Sequence, residues 1–221
     1  QYPNAQPSPG IISAQYVNAR SLMTDGFDFG IEVHHRLPGI FHDVMWYSKG
    51  QGTYVRRFNQ TNADGTVYRF AGTLGPYSAV SASGTPHWRA NWSNTLTWKN
   101  LAVTPTVYYT SGYKTVADDS GSSALNANNT TYSHSCAGTL SGSYNNAAPT
   151  TQCKVKGFWD VDLTVNYKVN KRWSVYANVY NLLGFRAPLD YATYGGYLYN
   201  SSWTQKGVVL RSFQFGVNVS L

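Results

Sequence analysis

Residues 212–221 read SFQFGVNVSL. Phe213, Phe215, Val217, Val219 and Leu221 fall in one register, and Ser212, Gln214, Gly216, Asn218 and Ser220 fall in the other. Alternation with a period of two is a β-strand with one apolar and one polar face. A tilted strand of about ten residues matches the hydrocarbon thickness of a bilayer. A soluble sandwich uses the same pattern, with its apolar face turned to a second sheet. The rest of the chain has to separate the two.

Composition favours the membrane. The 221 residues are 15% aromatic, with 18 Tyr and 7 Trp, and only 12% charged. Few charges with abundant Tyr, Trp, Gly, Asn, Ser and Thr make a poor soluble surface and a usual barrel. No apolar run is long enough for a membrane helix. The net charge of +7 comes from scattered Lys and Arg, without the clustering of a nucleic-acid surface. Residues 1–10, QYPNAQPSPG, lack the basic start and apolar centre of a secretion signal. A barrel must be exported, so a processed or partial chain is expected.

Seven segments alternate: 27–37, 43–58, 88–98, 101–110, 158–169, 173–183 and about 205–221. Gly50 and Gly52 suggest a bulge in the second. The connections at 38–42, 99–100 and 169–171 are short, whereas those at 59–87, 113–156 and 184–204 are long. Short turns at one end and long loops at the other are the asymmetry of a transmembrane barrel. Trp98, Tyr167 and Trp173 lie beside the short turns, and Trp88 and Tyr109 toward the long loops. Such rings belong at the two membrane interfaces. The fold class is therefore all-β, an antiparallel up-and-down transmembrane β-barrel. Single-chain bacterial barrels close with an even strand number, so this chain is expected to be an open C-terminal arc of about seven to eight strands. Residues 1–25 then hold extracellular loop and strand extension, including a short apolar stretch at 11–16, and 26–221 hold the strands.

Several stretches resemble the TonB-dependent outer-membrane receptors. They are TDGFDFGIEV at 24–33, GTPHWRANWSNTLTW at 84–98, FWDVDLTVNYKV at 158–169, WSVYANVYNLLGFRAPLDYATYGG at 173–196 and RSFQFGVNVSL at 211–221. Asn181-Leu182 occupies the place of the family's Asn-Leu pair before the last loop. Arg211 fits the opening of the last strand, whereas Leu221 stands where the family usually ends in Phe. The resemblance implies a 22-stranded barrel in the outer membrane of a Gram-negative bacterium. It also implies a plug domain and a TonB-binding segment in an N-terminal region that this sequence does not contain. The implied function is TonB-energised uptake of a scarce nutrient: siderophore-chelated iron, a carbohydrate or a small aromatic compound. The implied partners are TonB, outer-membrane lipid, lipopolysaccharide and the small-molecule substrate, with no nucleic acid. Two other functions fit the residues alone, a soluble aromatic-rich carbohydrate-binding β protein and a passive porin-like barrel.

Enzyme signatures are missing. The sequence has no phosphate-binding G-x-x-x-x-G-K, no G-x-G-x-x-G, no H-E-x-x-H and no G-x-S-x-G. No catalytic residue, cofactor or metal site is expected. His34 and His35 are neighbours on a strand and point to opposite faces, away from a shared metal. Asp160 and Asp162 share a face and are expected to pair with cations such as Arg89 or Lys168. Asp118 and Asp119 are too few carboxylates for calcium. Cys136 and Cys153 lie in one polar loop and read as a disulfide of an exported protein. Arg186, Asp190, Tyr191, Tyr194, Tyr197, Tyr199 and Trp203 in the last long loop are the candidate substrate contacts, since rings with interspersed polar groups suit sugars, aromatic acids and chelates. Loop self-packing is the competing use of the same residues. On the closing strand, Phe213, Phe215, Val217, Val219 and Leu221 are expected to face lipid.

Overall fold

The computed structural model describes residues 21–38, 43–65, 67–74, 84–114, 139–140, 150–151, 154–190 and 199–220. In chain order the elements are β1 (Ser21–Leu37), β2 (Val44–Thr61), β3 (Val67–Arg69), β4 (Trp88–Trp98), β5 (Leu101–Thr110), β6 (Tyr113–Lys114) and β7 (Thr139–Leu140). There follow β8 (Thr150–Thr151), β9 (Lys154–Val155), β10 (Phe158–Lys168), β11 (Trp173–Tyr180), α1 (Ser201–Val209) and β12 (Ser212–Val219). The main sheet runs β1-β2-β4-β5-β10-β11-β12, with β3 a short addition to β2. Every ladder in it is antiparallel. Successive long strands are neighbours throughout, so the sheet is a meander without crossing connections. Among the described residues β1 and β12 do not pair, and the arc is open.

The register joins the alternating residues into two continuous faces. Across the sheet Val33, Ser48, Asn94, Leu96, Val103, Val165, Ala177 and Phe215 share one face, and the partners on either side follow the same phase. Phe27, Phe29 and Ile31 of β1 lie on it, as do Val161 and Leu163 of β10 and Phe213, Val217 and Val219 of β12. The apolar side chains of β1 and β12 on this face are exposed, Phe215 at 73%, and those of β5 and β10 at its middle, Val103, Val161, Leu163 and Val165, are half-buried. That is the reverse of a soluble sandwich. Leu221, assigned to the same face, lies outside the described residues.

Aromatic rings bracket this face. Near the long loops, Phe27, Tyr54 and Trp88 cluster with centroids 4.6 to 6.2 Å apart, and Tyr109 meets Trp159 at 4.4 Å. Trp98, Tyr167 and Trp173 stand at the short-turn end. From Trp88 to Trp98 a tilted strand rises about 24 Å, close to the apolar band of a membrane barrel. Apart from His35 near the short-turn end, two polar side chains interrupt the face between the rings, Ser48 and Asn94, and they are direct cross-strand partners. Each takes an indole N–H: Trp92 Nε1 donates to Ser48 Oγ at 2.8 Å and Trp46 Nε1 to Asn94 Oδ1 at 3.1 Å. The pairing satisfies polar atoms that lipid would leave unbonded.

The short turns are locally determined. Lys99 supplies a positive φ of 50° in the two-residue turn between β4 and β5. Asn170 Oδ1 accepts from the N–H groups of Arg172 and Trp173, the self-capping Asn turn that closes β10 onto β11.

Three expectations need correction. The bulge is not at Gly50 or Gly52, whose pairing is unbroken; the register shifts between Asp25 and Gly26, leaving Arg56 as the extra residue. Gly52 instead lies under the Phe29 ring, which a Cβ would meet at 2.3 Å. The last strand begins at Ser212 rather than near Gln205, because residues 201–209 form α1. The sixth long strand, β11, stops at Tyr180 rather than at residue 183, since Asn181 takes a φ of +49°.

Candidate functional site

The polar face carries the chemistry. Toward the long loops it holds a concavity of about 490 Å³ bordered by Asp28, Gln51, Thr53, Arg89, Asn91 and Tyr108. Asp28 accepts from Thr53 Oγ1 at 2.5 Å. Farther along β1, Glu32 accepts from Tyr47 Oη at 2.6 Å and lies 3.8 Å from Lys49 Nζ and 3.4 Å from His34 Nε2. His35 stands on the other face opposite Trp46, so the two histidines diverge as their neighbouring positions require.

Beside this concavity α1 packs against β10. Asp160 and Asp162 are buried there, at 1% and 8% accessible. Their cation is neither Arg89 nor Lys168 but Lys206 of α1, whose Nζ lies 2.5 Å from Asp162 Oδ2 and 3.0 Å from Asp160 Oδ2. The ammonium also sits 3.7 Å above the Tyr108 ring. Lys168 is at the far end of β10, beside the short turn, and Arg89 lines the concavity. Burial disfavours the Lys206 ammonium, but the Asp162 and Asp160 carboxylates outweigh it and hold its pKa above the ordinary lysine value. The hydrogen bond goes to Asp162; both Asp160 oxygens lack a hydrogen-bond partner among the described residues, although Oδ2 touches the charge.

Asn181 locks the same region. It is fully buried. Its N–H donates to Asp162 Oδ1 at 3.0 Å, its Nδ2 to Phe185 O at 2.8 Å and Lys206 O at 3.3 Å, and its Oδ1 accepts from Phe185 N at 2.9 Å. Leu182 N then donates to Val161 O at 2.6 Å. The Asn-Leu pair thus ends β11, turns the chain and fixes α1 to the sheet. Asn tolerates the left-handed backbone this turn needs.

The long loops pack on one another above the site. Leu74, Tyr113, Val155 and Trp203 form a buried cluster. Tyr113 meets Trp203 edge-on at 4.5 Å and donates from Oη to Asp190 Oδ2 at 2.5 Å. Of the candidate substrate contacts, Asp190 and Trp203 are therefore buried in loop packing, Arg186 is exposed and Tyr199 is half-buried. Tyr191, Tyr194 and Tyr197 lie outside the described residues, as do Cys136 and Cys153. Lys206, Tyr108 and Asn181 were the residues missed as a cluster; the Asn-Leu pair was the one sequence signal pointing to it.

The family described as TonB dependent receptor-like, beta-barrel matches residues 1–182. The chain belongs to that family. Its members are outer-membrane transport receptors of Gram-negative bacteria that work with TonB. The match ends on Leu182 of the Asn-Leu pair, yet β12 continues the sheet in register with β11. No curated protein and no solved structure matches the chain.

Proposed function

We propose that this chain is barrel wall from an outer-membrane receptor that takes up a scarce nutrient with energy from TonB. One observation carries the reading: an exposed apolar face bracketed by aromatic rings lies opposite a polar face with a concavity. The first belongs in lipid and the second in a lumen. Phe213, Phe215, Val217, Val219 and Leu221 then meet acyl chains, and Asp160, Asp162, Ser212, Gln214 and Asn218 face inward. Among the described residues the outer edges of β1 and β12 have no partner strand, which supports closure by further strands, because open edges are not tolerated in lipid. The resemblance suggests 22 in all, with plug and TonB-binding segment elsewhere in the receptor.

The substrate is proposed to be a ferric siderophore, a carbohydrate or a small aromatic compound. It would meet exposed Arg186 and the tyrosines of the last loop before reaching Arg89 and Asn91. Asp190 and Trp203 would shape that loop from beneath. The test measures uptake by cells producing the whole receptor, with and without TonB, for one labelled member of each class. Saturable uptake that requires TonB supports the proposal. Uptake independent of TonB points to a passive porin, and extraction from cells without detergent points to a soluble binding protein.

A further inference from the structure

Three polar side chains on the lumen face have nothing to hold. Gln51, Arg89 and Asn91 border the concavity of about 490 Å³, and among the described residues none of the three has a hydrogen-bond or ionic partner for its side chain. Arg89 and Gln51 are exposed, and Asn91 is half-buried. Asp28 stands at the other side with one oxygen, Oδ1, engaged by Thr53.

The register explains why these charges stay apart. Asp28, Thr53 and Arg89 are successive cross-strand partners on β1, β2 and β4. Two strand spacings, about 10 Å, separate the backbone of Asp28 from that of Arg89, and Thr53 stands between them. Four residues along β1 the wall behaves differently. Glu32 and Lys49 are direct partners there, and their charges lie 3.8 Å apart. Opposite charges are thus neutralised farther down the wall and left open around the concavity.

The row between the polar side chains is Phe29, Gly52, Ala90 and Tyr109. It forms the floor with its backbone, because its side chains belong to the apolar face. At the rim the Tyr108 ring already carries Lys206 Nζ, 3.7 Å from its centre. An aromatic ligand therefore finds little apolar surface here. What converges is a guanidinium, two carboxamides and a carboxylate with acceptor capacity to spare. Carboxamides and carboxylates suit hydroxyl groups, and the arginine fork matches a carboxylate with two parallel bonds.

We propose that this concavity binds a sugar acid, a polyhydroxylated ring that carries a carboxylate. Arg89 grips the carboxylate, while Gln51, Asn91 and Asp28 divide the hydroxyls. The inference rests on the polar face being the lumen of an uptake receptor, and it selects a charged carbohydrate as the substrate. Hydrogen bonds to an ionised acceptor are about twice as strong as neutral ones, so the unpaired guanidinium favours the acid over the neutral sugar. The volume lies in the range of small-ligand sites, about 300–1,000 Å³.

The experiment titrates the whole receptor in detergent with trigalacturonate, its methyl ester and benzoate, followed by isothermal calorimetry. The ester keeps the hydroxyls and loses the charge, so the acid should bind at least about tenfold more tightly. Arg89→Gln should bring the acid to within about twofold of the ester, and Arg89→Lys should keep a preference of about threefold, since it has the charge without the fork. The lysine variant separates lost charge from lost fold. Equal binding of acid and ester, or a preference that survives Arg89→Gln, overturns the site. Benzoate binding as tight as that of trigalacturonate overturns the sugar. Uptake of the labelled probes by cells with and without TonB is read separately. TonB-dependent uptake of another substrate with no acid preference in binding defeats this inference alone. Acid-selective binding with uptake that ignores TonB leaves the site standing and defeats the reading beneath it.

Discussion

Leu163 is the midpoint of β10 between the rings of Trp159 and Tyr167, and it lies on the apolar face. Thr164, its neighbour, lies on the polar face opposite Thr104 and Asn178. Arginine at these two positions tests the facing with almost no change in depth. At the bilayer midplane an outward arginine costs about 2–4 kcal/mol, because the guanidinium must leave water or drag it into the hydrocarbon. That converts to a folding equilibrium shifted by about 30- to 900-fold. In the lumen, Thr164→Arg keeps its charge hydrated and should cost under about 1 kcal/mol. The assay is reversible unfolding of the whole receptor from phospholipid vesicles in guanidinium chloride, followed by tryptophan fluorescence. Leu163→Arg should lower the midpoint clearly, and Thr164→Arg should barely move it. Equal midpoints, or the reverse order, would refute the two-faced wall and with it the membrane placement.

Four further outcomes follow, three from the site and one from the apolar face. Lys206→Met leaves Asp160 and Asp162 without their cation; since 37% of the lysine side chain is exposed, the loss should be about 1–3 kcal/mol, read as faster amide exchange in residues 181–210. Because the folded-state pKa of Lys206 is raised, its contribution should be fully present below the ordinary lysine value of about 10.5 and vanish as pH climbs through the higher folded value, whereas Lys206→Arg should keep protection to higher pH. Asn181→Ala removes three side-chain hydrogen bonds and a residue suited to a left-handed backbone, a loss of about 2–4 kcal/mol, detected as proteolytic cleavage between 183 and 210; unchanged resistance would show that the clasp is dispensable. Trp46→Phe orphans Asn94 Oδ1 on the apolar face at about 1–2 kcal/mol, and adding Asn94→Leu should restore the unfolding midpoint.

The long strands were readable because membrane walls leave little freedom. Each residue between Trp88 and Trp98 must choose lipid or lumen, so polarity alternates, with Asn94 and its indole partner the exception. The loops obey no such rule. Residues 59–87 read as a long loop, yet β3 folds back on β2, its Val67–Arg69 giving only three residues of pattern. α1 was read partly as loop and, from about Gln205, as strand because its own amphipathicity is weak and Thr204 breaks it with a φ of −137°. Asn200, the cap, was its only strong start signal. The partner of Asp160 and Asp162 was missed for the same reason: Lys206, 44 residues beyond Asp162, approaches only once the helix exists. The paired arginines at 56 and 57 concealed the bulge, since both reach Asp25 and so break strict alternation.

Two glycines sit beneath rings on opposite faces of the wall. Phe29 covers Gly52 on the apolar side, and Tyr176 covers Gly216 on the polar side, where a Cβ would meet the ring at 2.3 Å in both cases. A strand that slipped by one residue would carry each ring away from its vacancy and set it against Gln51 or Thr53, or against Phe215 or Val217. Each slip would also exchange the solvent preferences of the whole strand. The glycines thereby act as alignment marks during assembly. The hairpin from β1 to β2 and that from β11 to β12 each carry one such mark, and either can reject a misaligned pairing before the neighbouring strands arrive.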